Sequence, residues 1–168
     1  SLRQRLIVAA PTKKLYSMVF FKINFREQLA IQECSEKRVA LSFQHLLLEY
    51  PFPSPSLQRC FSTLAFPGET VSTLCDEWSS SASGDELPLF FYLLQTLRKK
   101  QLLSYSAWGK KGRMATLTPT FSSEFTWEER PVTESELLQF SRFAYLRNHK
   151  GKCLLESPLI PAKIAIYA

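Results

Sequence analysis

Cysteine and histidine are the residue types of this 168-residue chain that most often act as nucleophiles or metal ligands. The four cysteines are 26, 15 and 78 residues apart, and no Cys-x-x-Cys pair occurs. With only two histidines beside them, the ligand spacing of a zinc site is absent. We expect reduced, buried thiols. These residues are Cys34, Cys60, Cys75, Cys153, His45 and His149.

The sequence contains no motif of an established catalytic family. Phosphate-loop, dinucleotide-binding, nucleophile-elbow and zinc-protease signatures are all missing. The two aspartates, Asp76 and Asp85, have the sequence context of a helix surface and a helix cap. A Ser-His-Asp triad would need His45 or His149, each of which lies in a polar, turn-like segment. The sequence therefore predicts no active site within these residues.

Composition indicates a folded protein with an excess of positive charge. The chain is 45% hydrophobic and 13% aromatic, which is enough for a core. Lys and Arg number 21 against 15 Asp and Glu, so the net charge of +6 favours acidic partners. No apolar run is long enough for a transmembrane helix, and the run at residues 6–10 is too short for a secretory signal. We expect a soluble, cytoplasmic protein without a membrane partner.

The first structural unit is predicted to be an antiparallel meander of three strands. Leu15–Phe25 is almost continuously apolar, β-branched or aromatic, which favours a buried strand. Leu29–Cys34 and Arg38–Gln44 alternate apolar and polar residues, and the polar segments between the runs suit hairpin turns.

Three helices and a hairpin are predicted to follow. Ser54-Pro55 can start a helix over Ser56–Leu64, and an amphipathic helix follows over Glu69–Trp78. Asp85 can cap a third helix that ends at Arg98, Lys99 and Lys100. Leu102–Trp108 and Met114–Thr118 then form a hairpin with a basic tip. This order is typical of a winged helix, and it makes residues 1–118 one α+β domain. The basic wing residues are Lys110, Lys111 and Arg113.

The remainder of the chain is predicted to contain a connector and a second meander. Residues 119–136 carry five glutamates against one arginine, without clean periodicity. Within residues 137–168, strand patterns recur at Gln139–Arg147, Lys152–Ser157 and Ala162–Tyr167. Because three such strands do not make a stable domain alone, we expect them to belong to a truncated second module.

Two binding functions fit this predicted fold. Nucleic-acid binding would use the basic wing, but the third helix begins with Asp85 and Glu86, which phosphate repels. A solvated hairpin tip is the alternative explanation of the wing. Peptide binding by strand addition would use the third strand and the third helix. The apolar residues of that groove would alternatively belong to the core. The candidate peptide-binding residues are Arg38, Val39, Leu41, Phe43, Leu87, Phe90, Phe91 and Leu94.

Several segments carry a family resemblance. About 25 residues near the C-terminal end contain Phe140–Arg147, Leu154–Leu159 and Ala162–Ile164, and a looser match covers Leu93–Leu97, Leu102–Ser106 and Ala115–Pro119. This pattern resembles the flavin-dependent azoline oxidases of ribosomal-peptide biosynthesis. These enzymes belong to the nitroreductase superfamily, and the cyanobactin oxidases are the nearest likeness.

The resemblance implies a non-catalytic portion of an FMN-dependent oxidoreductase that converts thiazolines to thiazoles. This portion would recognise a precursor peptide, or it would be a scaffold between the flavin domain and a partner enzyme. In related modules a leader peptide adds as a strand beside the third strand of the meander and the third helix, which by position are Arg38–Gln44 and Asp85–Lys100. The flavin domain is expected to lie outside this chain, so no catalytic or FMN-binding residue is assigned. The implied partners are the precursor peptide, the flavin domain and, through that domain, a second subunit in a homodimer. The alternative is a winged-helix nucleic-acid-binding domain.

Overall fold

A computed structural model describes residues 7–10, 19–51, 54–81, 87–120, 128–131 and 141–167, with only the backbone described at 7–10, 51, 81 and 128–131. The described strands are β1 (Ile7–Ala10), β2 (Phe20–Phe25), β3 (Ala30–Cys34), β4 (Arg38–Phe43), β5 (Leu46–Pro51), β6 (Leu103–Gly109), β7 (Gly112–Pro119), β8 (Glu128–Pro131), β9 (Tyr145–His149), β10 (Lys152–Glu156) and β11 (Ala162–Ile166). The described helices are α1 (Pro55–Ala65), α2 (Val71–Ser81) and α3 (Leu87–Lys99). The predicted α+β class is confirmed.

The chain divides into two compact units. One unit comprises residues 22–104, and the other comprises residues 1–21 together with 105–168. We call them the helical unit and the sheet unit. The predicted domain boundaries after residues 118 and 136 stay predictions.

A three-stranded antiparallel meander in the helical unit is confirmed, but one of its strands differs from the prediction. The sheet has the order β3-β4-β5, so β4 is central. β2 pairs with β6 instead, and beside them the Arg26 backbone N–H donates to the Leu102 carbonyl at 2.8 Å. The predicted segment Leu15–Phe25 is a strand from Phe20 onwards, and residues 15–18 lie outside the described part of the chain.

Two of the helices begin at a hydroxyl cap, and the Ser54 cap is the one that the sequence predicts. The Leu57 backbone N–H donates to Ser54 Oγ at 3.2 Å, which caps α1 one residue before Pro55. The Thr73 backbone N–H donates to Thr70 Oγ1 at 3.1 Å, which caps α2. These caps confirm the first two predicted helices to within a few residues. The third is α3, and its predicted cap, Asp85, lies outside the described residues.

Aromatic contacts join the elements of the helical unit. The ring of Phe61 in α1 lies 5.7 Å from the ring of Phe25 and 5.5 Å from that of Tyr50, centroid to centroid. The rings of Trp78 in α2 and Phe90 in α3 are 4.9 Å apart. Phe61 and Phe90 are fully buried, so these contacts lie in the core.

Antiparallel strands form the sheet unit in the order β6-β7-β11-β10-β9. The predicted hairpin is present, with a two-residue turn at Lys110 and Lys111. The second meander is also present, as β9, β10 and β11, but its first strand begins at Tyr145 and not at Gln139. Residues 141–144 are not strand, and residues 139–140 lie outside the described part of the chain. This meander is not an isolated sheet, because β11 pairs with β7 over five residues of each strand. The predicted connector contains β8, which pairs in parallel with β1.

Candidate peptide-binding site

β5 is the outer strand of the meander on one side, and within the described residues it pairs only with β4. The hairpin between them has a two-residue turn at Gln44 and His45, with φ +52° at Gln44. In such a turn the flanking pair, Phe43 and Leu46, is hydrogen-bonded, and bonded pairs then alternate along an antiparallel ladder. The N–H and C=O groups of Leu47 and Glu49 therefore point away from β4. Among the described strands, none pairs with that side of β5.

The opposite edge of the meander, β3, is less suitable for strand addition. Its pairing with β4 shifts register between Ile31 and Glu33, which marks a β-bulge or a similar irregularity. Bulges interrupt the row of backbone donors and acceptors that an added strand needs. β5 pairs over six residues without such a shift. β5 is therefore the regular edge of this sheet.

α3 presents two flanks beside a buried stripe. Phe90, Leu93 and Leu97 are buried. From the helical spacing, Leu87, Phe91 and Leu94 share one flank, and Leu89, Tyr92 and Thr96 share the other. Tyr92 is two-thirds exposed, and Phe91 and Leu89 are about half exposed.

The Tyr50 side chain lies at the end of β5, and its ring contacts Phe61 of α1. Burial raises the pKa of the Tyr50 phenol, and the nearby Tyr92 phenol raises it further. The Tyr92 phenol on α3 therefore lies within electrostatic range of the Tyr50 phenol at the end of β5. Leu47, on β5 itself, is 58% exposed. We call the outer edge of β5, with Leu47 and Glu49, together with the Tyr92 flank of α3, the β5–α3 surface.

The predicted peptide-binding residues divide between core and surface. Val39, Leu41, Phe43 and Phe90 are at most 3% exposed, so their side chains belong to the core. Arg38 is exposed, and its guanidinium pairs with the carboxylates of Glu33 and Glu49. Leu87 and Leu94 are half-buried, and Phe91 is exposed.

The predicted position of the added strand requires a correction. β4 carries Arg38–Phe43, and it has β3 on one side and β5 on the other. A peptide cannot pair beside β4, because both of its edges are already hydrogen-bonded. The sequence prediction missed Leu47 and Tyr92. The polar pair Gln44-His45 between two apolar runs is a hairpin signal that identifies β5.

The predicted basic wing lies in the sheet unit. Lys110 and Lys111 form the exposed turn between β6 and β7. The Arg113 guanidinium lies 4.5 Å from the centroid of the Tyr167 ring, within the range of a cation–π contact.

The cysteines differ from the expectation of uniform burial. Cys34 and Cys153 are exposed, Cys75 is intermediate and Cys60 is buried, and all four are free thiols. Cys60 lines a pocket of about 430 Å³ between α1 and α2, together with Arg59, Leu74, Glu77, Trp78 and neighbouring hydroxyl residues. Burial raises the pKa of the Cys60 thiol to about 12, so it is protonated at neutral pH and is a poor nucleophile.

The described part of the chain contains no group of three or more His, Cys, Asp or Glu side chains that could hold a metal ion. Within the same residues, no helix has both the length and the apolar character needed to cross a lipid bilayer. No protein-family model matches this chain, and no curated protein matches it significantly.

Proposed function

We propose that this chain is a peptide-recognition module, which binds an extended segment of a precursor peptide by strand addition to β5 against the Tyr92 flank of α3. The regular outer edge of β5 carries the proposal. Leu47 and Glu49 offer backbone donors and acceptors, and the Leu47 side chain is exposed beside them. Strand addition uses both features, since main-chain bonds supply affinity and alternate side chains supply specificity.

The resemblance to azoline oxidases suggests the biochemical pathway in which this peptide binding would occur. In that pathway the module would present a precursor peptide to an FMN-dependent domain that oxidises thiazolines or oxazolines to azoles, in the cytoplasm. The chain would then be non-catalytic, and a dimer would form through the flavin domain. The three helices followed by a basic hairpin support a winged-helix module, as expected for this class of recognition domain. No residue of this chain is assigned to FMN.

The proposal is tested by selecting binders and then removing one outward-facing N–H. A display library of random twelve-residue peptides is selected on the immobilised chain, and the enriched sequence is made with a fluorescent label. Its affinity is compared for Leu47→Pro and Leu47→Ala. Proline at position 47 removes a donor that faces away from β4, whereas alanine keeps that donor and shortens the side chain.

We expect Leu47→Pro to weaken binding by roughly tenfold, which corresponds to one lost hydrogen bond and an unsatisfied peptide carbonyl. Leu47→Ala should weaken binding by about threefold or less. A selection that enriches no peptide, or an enriched peptide that binds both variants equally, would contradict strand addition at β5. Loss of all binding on raising the salt concentration would instead favour a purely electrostatic ligand.

A further inference from the structure

The two units differ sharply in charge. The sheet unit contains 13 Lys and Arg residues against 6 Glu residues, a formal net charge of +7. The helical unit contains 8 basic and 9 acidic residues, a net charge of −1. The positive excess of the whole protein therefore resides in the sheet unit. A partner attracted by that excess is acidic.

β9 is the last strand of this sheet, and within the described residues it pairs only with β10. Lys150 and Gly151 form the two-residue turn between them, with φ values of +52° and +77°. The flanking pair, His149 and Lys152, is therefore hydrogen-bonded, and bonded pairs alternate beyond it. It follows that the N–H and C=O groups of Leu146 and Asn148 point away from β10.

The two faces of the sheet are chemically different at this edge. Register places Arg147 beside Leu154, and the same face continues through His149, Lys152 and Lys163. The opposite face carries Leu146, Leu155, Ile164 and Ile166. Leu146 is 61% exposed and Ile166 is 40% exposed. Leu154 and Glu156 also lie on the Arg147 face, between its cations. A strand added to β9 would lie beside Arg147 on that face, with Lys152 and Lys163 further along it, and beside Leu146 on the apolar face.

Arg147 already binds one carboxylate of its own chain. Its guanidinium contacts both oxygens of Glu156 on β10, at 2.5 and 3.1 Å. This hydrogen bonding lowers the pKa of the Glu156 carboxyl, which keeps that carboxyl charged at neutral pH. Almost half of the Arg147 side chain remains exposed. Glu156 therefore occupies part of the Arg147 guanidinium, and it would compete with a carboxylate of an incoming peptide.

We propose that β9 is a second strand-addition edge, which binds an extended peptide of alternating acidic and apolar residues. The acidic side chains of the peptide lie on the Arg147 face, and its apolar side chains lie beside Leu146. A second copy of this chain fits less well. Two β9 strands paired antiparallel about Arg147 would place the two guanidinium groups opposite each other, and like charges in that position are destabilising. A nucleic acid would use the charge but neither the backbone edge nor the apolar row.

The test measures fluorescence anisotropy with a labelled seven-residue peptide of alternating glutamate and valine. A segregated peptide of the same composition has four glutamates followed by three valines. Comparing the two peptides distinguishes an effect of the alternating pattern from an effect of net charge. Leu146→Pro removes an outward-facing N–H of β9, and Leu146→Ala is its matched control. Leu47→Pro tests whether the peptide lies on β5 instead. Glu156→Gln removes the competing carboxylate and should increase the affinity for the peptide. Misfolding of this variant would decrease the affinity, so it cannot explain an increase.

We expect the alternating peptide to bind at least tenfold more tightly than the segregated peptide. Leu146→Pro should weaken its binding by roughly tenfold, and Leu146→Ala by about threefold or less. Glu156→Gln should strengthen it by about threefold, and Leu47→Pro should leave it unchanged. Because the β5 experiment uses a separate variant, this proposal can fail while the proposed function stands.

Four results would overturn the proposal. Equal binding of the two peptides would mean that charge alone acts, and equal binding to Leu146→Pro and Leu146→Ala would exclude pairing at β9. Displacement of the peptide by a 20-base-pair DNA duplex at lower concentration would identify nucleic acid as the better ligand. A dimer in sedimentation that Leu146→Pro converts to a monomer would identify a second copy as the occupant of β9.

Discussion

Replacing Phe61 with alanine should destabilise the helical unit more than any surface change. Phe61 is completely buried, and its ring contacts Phe25 and Tyr50. It therefore connects α1 with β2 and with the end of β5. Five residues further on, Phe66 is 84% exposed and provides a matched control of the same residue type.

The magnitude follows from burial. Truncation of a buried phenylalanine to alanine costs about 3–5 kcal/mol, because transfer energy is lost and a cavity remains. Phe66→Ala should change the free energy of unfolding by about 0.5 kcal/mol or less. Phe61→Leu keeps most of the volume and should cost about 1.5 kcal/mol. Since domains of this size are commonly stable by only about 5–15 kcal/mol, Phe61→Ala should remove between about a fifth and all of the stability.

Urea unfolding followed by circular dichroism measures these differences. With a slope of about 2 kcal/mol per molar urea, Phe61→Ala should unfold at about 2 M lower urea than the wild type. Phe61→Leu keeps the comparison measurable if the alanine variant does not fold. Similar midpoints for Phe61→Ala and Phe66→Ala would refute the assignment of Phe61 to the core. Peptide affinity at β5 should decrease with Phe61→Leu, because Tyr50 loses part of its support.

Two further predictions concern a glycine and the thiols. Gly68→Ala should be more destabilising than Gly151→Ala by about 1–3 kcal/mol in thermal unfolding, although both glycines have positive φ. A Cβ at Gly68 would lie 2.6 Å from a backbone carbonyl oxygen of β2, whereas one at Gly151 would meet nothing within 4 Å; equal destabilisation would refute this packing. In the folded protein, Cys34 and Cys153 should react with N-ethylmaleimide within minutes while Cys60 stays unmodified by mass spectrometry. Rapid labelling of Cys60 would show that its pocket opens readily.

Local sequence signals predicted the helices and the wing hairpin. Ser54 followed by Pro55 marks the start of α1, and the basic pair Lys110-Lys111 between two strand-like runs marks the turn of the wing hairpin. In these cases the determinants are a cap or a two-residue turn within the segment itself. Such signals need no knowledge of distant parts of the chain.

Pairing between distant segments could not be predicted in the same way. β2 and β6 pair across about 80 residues of sequence, and β11 pairs with β7 although an acidic segment separates them. β5 was missed because Leu46, Leu47 and Leu48 form an unbroken apolar run without alternation. As a result, the candidate edge for strand addition is β5 and not the predicted β4, whereas α3 belongs to the candidate site as predicted.

Hydrogen–deuterium exchange with residue resolution tests the central claim most directly. The amides of Leu47 and Glu49 face away from β4, so in the isolated chain they should exchange much faster than those of Leu46 and Leu48. Adding the selected peptide should slow exchange at Leu47 and Glu49 by at least tenfold. Protection that appears elsewhere while these two amides keep exchanging rapidly would contradict peptide recognition at the β5–α3 surface.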